Sequence, residues 1–547
     1  MTTPPSTATP DGPTPAAGDS RVARNAGLIS GLTVLSRVAG FGRTAVLAFC
    51  VGSTLLGSAY VTANTVPNII FEIVAGGALA ALVVPLLAGA VSLGDRRTET
   101  ATVSALLTWT LTVLVPLAVA VALLAGPIVD GLASHPPAAA RDAGVLMLRV
   151  FAPQLPLYGV GIVLTGVLQA HRRFAWPVLA PLMSSVVVAA SYGVFAAVEG
   201  ARADVPGVGV GGQLILAVGT TLGVVVLSLC LVIPVRRLGV RLRPSYRFPG
   251  GAGRSALRLA GAGVVTVGLQ QIAVVVTLRL ANQGPEGTVV VFTVAQAVYL
   301  LPWAILAVPV ATAAYPALAT AHSTGDDAGY RSRLAPAARG VLLLSCLGAA
   351  ALFAVAEPVA GFFALPGLGG AVAGFAPGLI GYGLFAMLTR ALYARGLPRP
   401  AATATAIGWA TVSVAAFVLA AGLATDRRLL ALTLANSIGM LVLGALLVLA
   451  VHRRAGAAAL AGFSRALLVG LTAGVAAAAA GWAVADALSG GHPASKPDAL
   501  WHGAVAGVVV VLVFLVVAYP LDRHDVRPGV ASVRRRVRRR RSAGAAG

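Results

Sequence analysis

Apolar segments long enough to cross a lipid bilayer repeat along almost the whole 547-residue chain. A helix needs about 20 such residues to cross about 30 Å of hydrocarbon. The bilayer interior offers no partner for backbone polar groups, so each segment is expected to be a helix. Only 11% of the residues are charged, whereas soluble domains contain about 25%. The pattern predicts an all-α integral membrane protein.

The apolar runs predict about fourteen transmembrane helices. The second and eighth are long and contain proline, so each is expected to bend or tilt. The predicted spans are 26–50, 58–93, 102–129, 143–170, 175–198, 212–235, 257–281, 288–320, 337–364, 371–394, 401–424, 429–452, 464–487 and 500–520.

The basic residues predict the orientation of these spans. With the N-terminus placed in the cytoplasm, thirty basic residues fall in cytoplasmic segments and five in external ones. Basic residues favour the cytoplasmic side of a membrane. We therefore expect a multi-pass protein of the inner (plasma) membrane with both termini in the cytoplasm.

A weak internal repeat predicts the domain organisation. Val66-Pro67 precedes Pro85 much as Leu301-Pro302 precedes Pro316, and an even helix offset between such stretches indicates a parallel repeat. We predict two six-helix lobes followed by two further helices. The segments are a disordered cytoplasmic N-terminus (1–24), an N-lobe with helices 1–6 (25–235), a basic cytoplasmic linker (236–256), a C-lobe with helices 7–12 (257–452), helices 13–14 (453–521) and an arginine-rich cytoplasmic tail (522–547).

The net charge of +22 is explained by this topology better than by nucleic-acid binding. Lys496 is the only lysine among the basic residues, so the arginine content is a bias of the whole chain. The run Arg534–Arg541 in the tail is expected to attract anionic lipid head groups, with a cell-wall synthesis protein as the alternative partner. Cysteines and histidines are scattered, so no metal, cofactor or enzymatic site is expected.

Two arginines lie inside the first predicted span. Charged groups at membrane depth are costly and usually face a cavity. Arg37 and Arg43 are six residues apart and would not share one face of a regular helix. Gly40 and Gly42 between them permit a break that would turn both inward. Two guanidinium groups suit a pyrophosphate or another anion; the alternative is that Arg43, or both, extend to the membrane interface.

Further candidates for substrate binding lie in the second, seventh and eighth spans. Asn64, Asn68 and Glu72 are spaced i, i+4, i+8 and form one stripe. Glu72 either pairs with an arginine or carries a proton or cation; the sequence leaves both open. The remaining candidates are Gln296 and, as secondary ones, Gln270, Gln271 and Arg279; for the glutamines, helix-to-helix hydrogen bonding is the alternative.

These motifs resemble those of the MurJ/MviN family of lipid II flippases, which act in bacterial peptidoglycan synthesis, cell wall biogenesis and cell shape. Ser36–Arg43 (SRVAGFGR) is similar to the family signature Ser-Arg-x-x-Gly-Phe-x-Arg, and Val66-Pro67-Asn68 looks like the next family block. The resemblance implies alternating access of two lobes around a central cationic cavity. It also implies a groove beside the last two helices for a lipid tail.

The chain departs from the family pattern at several charged positions, so we expect a divergent member. The departures are Thr44, Ser58, Phe71-Glu72, Ala75-Gly76-Gly77-Ala78, Ala297 beside Gln296, and the absence of an acidic sodium-site candidate in the seventh and eleventh spans. The predicted function is translocation of lipid II, a lipid-linked peptidoglycan precursor, from the cytoplasmic to the outer leaflet. The alternatives are export of another polyprenyl-linked glycan or a small amphiphile, and a transport-inactive cell-wall scaffold. Membrane potential and an ion remain open as driving forces.

Overall fold

The computed structural model describes residues 35–74, 80–134, 136–239, 243–249, 252–490 and 495–521. These residues are helical in most positions and contain no β-strand, which confirms the predicted all-α class. The predicted N-terminal segment 1–24, the Arg534–Arg541 tail and the whole Ala75–Ala78 motif lie outside the described residues. The helices are α1 (35–50), α2 (Leu55–Glu72), α3 (Ala80–Ser92), α4 (Arg96–Leu123), α5 (Ala125–Ala133), α6 (Ala138–Phe151), α7 (Gln154–Ala170), α8 (Ala175–Glu199), α9 (Val210–Leu229), α10 (Val232–Arg236), α11 (Ala252–Asn282), α12 (Thr288–Pro302), α13 (Val308–Ser323), α14 (Asp327–Ala354), α15 (Ala356–Phe363), α16 (Leu368–Phe375), α17 (Gly378–Ala394), α18 (Pro398–Gly422), α19 (Arg428–Ala455), α20 (Phe463–Ser489) and α21 (Lys496–Leu521).

Ten helical segments within the described residues are long and apolar enough to cross a membrane, or eleven if the bent pair α16–α17 forms one span. They coincide with eleven of the predicted spans. The predicted first, second and seventh spans fall on α1, on α2 and α3, and on α11. Fourteen crossings and their orientation therefore stay predictions.

Proline residues and broken helices shape several of these spans. The predicted eighth span is continuous from α12 to α13 and contains a π-helical turn at Trp303–Ala307, directly after Pro302. The predicted tenth span bends by 45° between α16 and α17. Both departures fit the general rule that helix irregularities occur at proline residues and π turns.

Side-chain caps fix the start of three helices. The Asp95 carboxylate accepts hydrogen bonds from the backbone N–H groups of Arg97 (3.1 Å) and Thr98 (3.0 Å) at the start of α4. Thr54 caps α2, and Asp326 caps α14. These caps satisfy N–H groups that have no partner within the helix.

The helices pack in two groups. In the N-terminal helix group (α1–α10), α2 packs on α6, α4 on α7, and α8 on α9; in the C-terminal helix group (α11–α21), α18 packs on α19, α14 on α17 and α20 on α21. Each group has its own buried cluster, and a third cluster crosses between the groups. The space between the groups is therefore where a shared cavity can form.

Among the described residues, hydrogen bonds between the two groups lie at one end of the molecule, which we call the Arg202 end. The Arg202 guanidinium donates to the carbonyl oxygens of Phe363 (2.8 Å) and Ala364 (3.3 Å). The Asn282 amide group donates to the Thr62 hydroxyl (3.2 Å) in the same region. The opposite end of the N-terminal group, where α7 ends, is called the His171 end. Contacts at the Arg202 end close the space between the groups on that side.

Candidate functional site

A cavity of about 690 Å³ lies between the two helix groups, on the His171 side of these contacts. Helices α1, α2, α7, α8, α9 and α12 and the π-helical turn after α12 contribute to its wall. The polar and charged side chains of the wall are Ser36, Arg37, Arg43, Asn64, Asn68, Glu72, Tyr158, Ser184, Ser185 and Thr220.

Both arginines of α1 line this cavity. The helix is continuous through residues 35–50, so the break that Gly40 and Gly42 would permit does not occur. The Thr44 hydroxyl bonds back to the Gly40 carbonyl at 3.3 Å, within the same helical turn. Long flexible arginine side chains reach one wide cavity from neighbouring helix faces, so no change in backbone direction is needed.

Arg37 also contacts the C-terminal helix group. Its guanidinium carbon lies 6.0 Å from the centre of the Trp303 ring, within the range of a cation–π interaction. The Trp303 indole N–H donates to the Tyr382 carbonyl at 3.1 Å, and the two rings lie 4.8 Å apart. Contacts within the C-terminal helix group therefore hold the Trp303 ring in place, independently of Arg37.

The predicted stripe of α2 faces the cavity with all three residues, Asn64, Asn68 and Glu72. The Tyr158 hydroxyl donates to the side-chain amide oxygen of Asn68 at 3.1 Å, and the Tyr158 ring packs 4.5 Å from the Phe71 ring. With its oxygen engaged, the Asn68 amide keeps its N–H groups available as hydrogen-bond donors. The side-chain oxygen of Asn64 is buried without a hydrogen-bond partner among the described residues.

Glu72 forms no ion pair with either arginine among the described residues. Its side chain is exposed to the cavity. A structural pairing with Arg37 or Arg43, one of the two predicted roles, is therefore absent from this conformation.

A buried chain of hydroxyl groups runs from the cavity wall into the N-terminal helix group. The Tyr60 hydroxyl lies 2.7 Å from both the Tyr192 hydroxyl and the Thr220 hydroxyl. All three side chains are buried, and Thr220 lines the cavity. Sequence reasoning missed these residues and Tyr158, because single polar aromatic residues in apolar helices carry no spacing signal.

The other sequence candidates lie elsewhere. Gln296 lines a separate pocket of about 100 Å³ together with Thr277 and Asn436, and its neighbour Ala297 lines the main cavity. Gln270 and Gln271 lie on neither pocket; Gln271 is buried. Arg279 is exposed and donates to the Gly131 carbonyl at 3.0 Å. None of these four candidates joins the arginine site.

An apolar groove of about 390 Å³ adjoins the cavity. Phe41 and Leu301 line both spaces, so the groove continues directly from the arginine site. The rest of its wall comes from α12, α14, α15 and the last helix, α21. The molecule thus places two cations and an apolar channel side by side.

No group of three or more His, Cys, Asp or Glu side chains suited to a metal ion occurs within the described ranges. The cavity chemistry available there is anion binding by guanidinium groups and hydrogen bonding by amides and hydroxyls.

Comparison with known proteins supports one family. The sequence model of the family "Lipid II flippase MurJ" matches residues 47–489. The lipid II flippase MurJ of Burkholderia cenocepacia is 27% identical over 335 residues, covering 60% of this chain and 63% of that protein. The probable lipid II flippase MurJ of Synechocystis sp. is 29% identical over 242 residues, covering 43% and 45%. The chain thus aligns with less than two thirds of the length of these relatives.

Solved structures support the same fold. A lipid II flippase MurJ in an inward closed conformation matches with a TM-score of 0.72 at 16% identity, covering 91% of this chain and 99% of the other. An inward-facing multidrug resistance transporter of the MATE family matches with a TM-score of 0.59 at 16% identity, covering 79% and 94%. Because the family model covers most of the chain, this protein belongs to the MurJ family.

Proposed function

We propose that this protein translocates lipid II from the cytoplasmic to the outer leaflet of the plasma membrane by alternating access. The observation that carries the proposal is the cavity that holds Arg37 and Arg43 and continues into an apolar groove through Phe41 and Leu301. An amphiphile with an anionic head and an isoprenoid tail needs both environments at once.

The arginines account for recognition of the head group. Guanidinium groups bind phosphate oxygens through paired, charge-assisted hydrogen bonds. In the low dielectric of the membrane domain, this attraction is stronger than in water. Amide N–H groups of Asn68 and hydroxyls of the cavity wall supply further donors for the polar part of the substrate.

The conformation supports loading from the cytoplasm. The helix groups are joined at the Arg202 end, and the cavity lies on the other side of that contact. The distribution of basic residues favours a cytoplasmic location for the His171 end. Moving the substrate outward then requires the Arg202-end contacts to break and new contacts to form at the His171 end.

One observation favours a second candidate, export of a small amphiphile coupled to a cation. Glu72 is exposed in the cavity and lacks an ion-pair partner among the described residues. A carboxylate in that position suits proton or cation binding. If the substrate is lipid II, Arg37 and Arg43 are required for transport. If the protein is a cation-coupled exporter, Glu72 is required.

Complementation separates these candidates. The chain is expressed in a bacterium depleted of its own lipid II flippase, beside Arg37→Ala, Arg43→Ala and Glu72→Gln, with membrane levels measured for each. Arg390→Ala is the matched control, because its guanidinium bonds within its own helix to the Ala386 carbonyl and lies away from the cavity. Rescue that is lost in both cavity variants and kept in Arg390→Ala supports lipid II as substrate.

The other outcomes point elsewhere. Absence of rescue by the unaltered chain, with the protein present in the membrane, refutes lipid II translocation. Rescue that persists in all three cavity variants would show that lipid II is moved without these side chains, and would overturn the assignment of Arg37 and Arg43 to head-group binding. Loss of rescue only in Glu72→Gln would show that translocation depends on this carboxylate and not on the arginines, as expected for transport coupled to a cation.

A further inference from the structure

A short extended segment of the linker between α10 and α11 is bound along α4. We call residues 243–249 the linker strap. The backbone N–H groups of Arg243 and Ser245 donate to the hydroxyls of Ser104 (3.1 Å) and Thr108 (3.0 Å). These acceptors are spaced i, i+4 on α4, so the strap follows one face of that helix.

Aromatic contacts hold the next part of the strap. The Trp109 indole N–H donates to the Tyr246 carbonyl at 3.1 Å, and the two rings lie 5.3 Å apart in an edge-to-face arrangement. The Tyr246 hydroxyl lies 3.1 Å from the Thr112 hydroxyl. Phe248 packs against a buried cluster of the N-terminal helix group. The strap is therefore a fixed part of the surface.

The strap lies where the polar start of α4 passes into its apolar part. Ser104 lies about 12 Å and Thr112 about 24 Å along the axis from Arg96, at 1.5 Å per residue. Trp109 is 46% exposed and Tyr246 56% exposed. Tryptophan and tyrosine gather at the level of the lipid head groups, so this pair marks the membrane interface.

The surface around this pair is cationic on one side and apolar on the other. Arg243 and Arg247 are exposed, and neither forms an ion pair with a carboxylate among the described residues. Beyond Trp109, the same face of α4 exposes Val113 (58%) and Leu117 (37%). Two guanidinium groups next to an exposed apolar stripe match the phosphate and acyl chain of a phospholipid.

We propose that the linker strap and the exposed face of α4 form a binding site for an anionic phospholipid of the cytoplasmic leaflet. Arg243 and Arg247 bind the head-group phosphate, Trp109 and Tyr246 lie at the glycerol level, and Val113 and Leu117 contact an acyl chain. The site lies on the outer surface of the N-terminal helix group, apart from the central cavity. The proposal of this lipid site does not depend on which substrate the cavity carries.

The site explains why a polar linker segment lies beside an apolar helix. The hydroxyls of Ser104 and Thr108 satisfy strap N–H groups that would otherwise lack partners at the membrane interface. The arginines then project toward the head groups, and their charge is neutralised by lipid phosphate. A bound lipid would thereby anchor the chain that connects the two helix groups.

The test is a titration of the detergent-solubilised full-length protein with phosphatidylglycerol, with phosphatidylcholine as the neutral comparison, and bound lipid counted by native mass spectrometry. The unaltered protein is expected to retain phosphatidylglycerol in preference to phosphatidylcholine. The double variant Arg243→Gln/Arg247→Gln is expected to bind it about twenty-five-fold more weakly, from about fivefold for each arginine beside an anionic surface. Tyr246→Ala keeps both charges but loses the contacts to Trp109 and Thr112, and is also expected to bind more weakly.

The matched control is Arg453→Gln/Arg454→Gln, which removes two exposed arginines at the end of α19. It is expected to retain phosphatidylglycerol like the unaltered protein. Equal weakening in the two arginine pairs would reveal a general charge effect and overturn the proposal. Unchanged binding in Arg243→Gln/Arg247→Gln, or in Tyr246→Ala, would overturn it as well.

Discussion

Arg37 of the N-terminal helix group lies over the indole ring of Trp303 in the C-terminal helix group, with 6.0 Å between the guanidinium carbon and the ring centre. The contact joins a cavity arginine to the π-helical turn that interrupts the span formed by α12 and α13. A substrate anion that binds Arg37 would compete with this ring for the same cation. The contact therefore links occupancy of the cavity to the relative position of the two helix groups.

A double-mutant cycle measures this contact. Arg37→Gln and Trp303→Leu are each expected to lower the free energy of unfolding, and the pair is expected to show a coupling of about 0.5–1 kcal/mol, the range for a cation–π interaction at an exposed site. The measurement is unfolding of the purified protein by denaturing detergent. Additive single effects would show that the two side chains do not interact in solution.

Closure at the Arg202 end is expected to weaken as the pH rises. Partial desolvation of this largely exposed side chain, and next the neighbouring Asp204 carboxylate, raise the pKa of Glu286 above its ordinary value of 4.5. When its pKa is raised in the folded, closed state, a carboxyl group stabilises that state while it is protonated. Its stabilisation is complete below pH 4.5 and is lost as the pH rises through the raised pKa.

Glu286→Gln tests that sign, because it keeps the neutral form at every pH. The thermal midpoint of the variant is expected to equal that of the unaltered protein below pH 4.5 and to exceed it at higher pH. Asp426→Asn, an exposed change on another loop of the same end, controls for net charge. A constant difference across pH between Glu286→Gln and the unaltered protein would contradict the prediction.

Gly381 allows α17 and α19 to approach closely. A Cβ atom at Gly381 would lie 1.9 Å from the Met440 carbonyl oxygen, and a backbone atom cannot move aside as a side chain can. Gly381→Ala is therefore expected to destabilise the fold by about 1–3 kcal/mol, the range for overpacking. Thermal unfolding in detergent measures the change.

Gly193→Ala in α8 is the matched control, because a Cβ atom there meets nothing within 4 Å. Alanine is the better helix former, so this variant is expected to be more stable by about 0.5–1 kcal/mol. Equal destabilisation by both substitutions would mean that close approach of α17 to α19 is not the cause.

Tyr158 is expected to matter for substrate binding through Asn68. Tyr158→Phe removes the hydroxyl that engages the Asn68 oxygen at 3.1 Å, and the amide can then rotate away from its donor orientation. Apparent affinity for a pyrophosphate-bearing lipid is expected to fall by about fivefold, the worth of about one hydrogen bond, with an unchanged unfolding midpoint. Tyr393→Phe, an exposed tyrosine outside the cavity, is the control. Unchanged lipid affinity in Tyr158→Phe would assign Tyr158 a packing role only.

The sequence by itself determined the helical character of the chain. It also identified Arg37 and Arg43 as charged residues inside an apolar span, and Asn64, Asn68 and Glu72 as one polar stripe of a helix. Each of these is a local property. The length of an apolar run decides whether it can cross a bilayer, and an i, i+4, i+8 spacing puts side chains on one face of whatever helix they belong to.

Only the tertiary structure decided which helix faces meet in the cavity. Gln296 and Ala297 are neighbours in sequence, yet Ala297 lines the cavity and Gln296 a separate pocket. Successive residues differ by about 100° around a helix axis, so the rotation of the packed helix selects between them. Helix packing likewise places Tyr158 beside Asn68, Thr220 beside Tyr60, and Trp303 beside Arg37. Those contacts join residues far apart in sequence, and only packing of the helices brings them together.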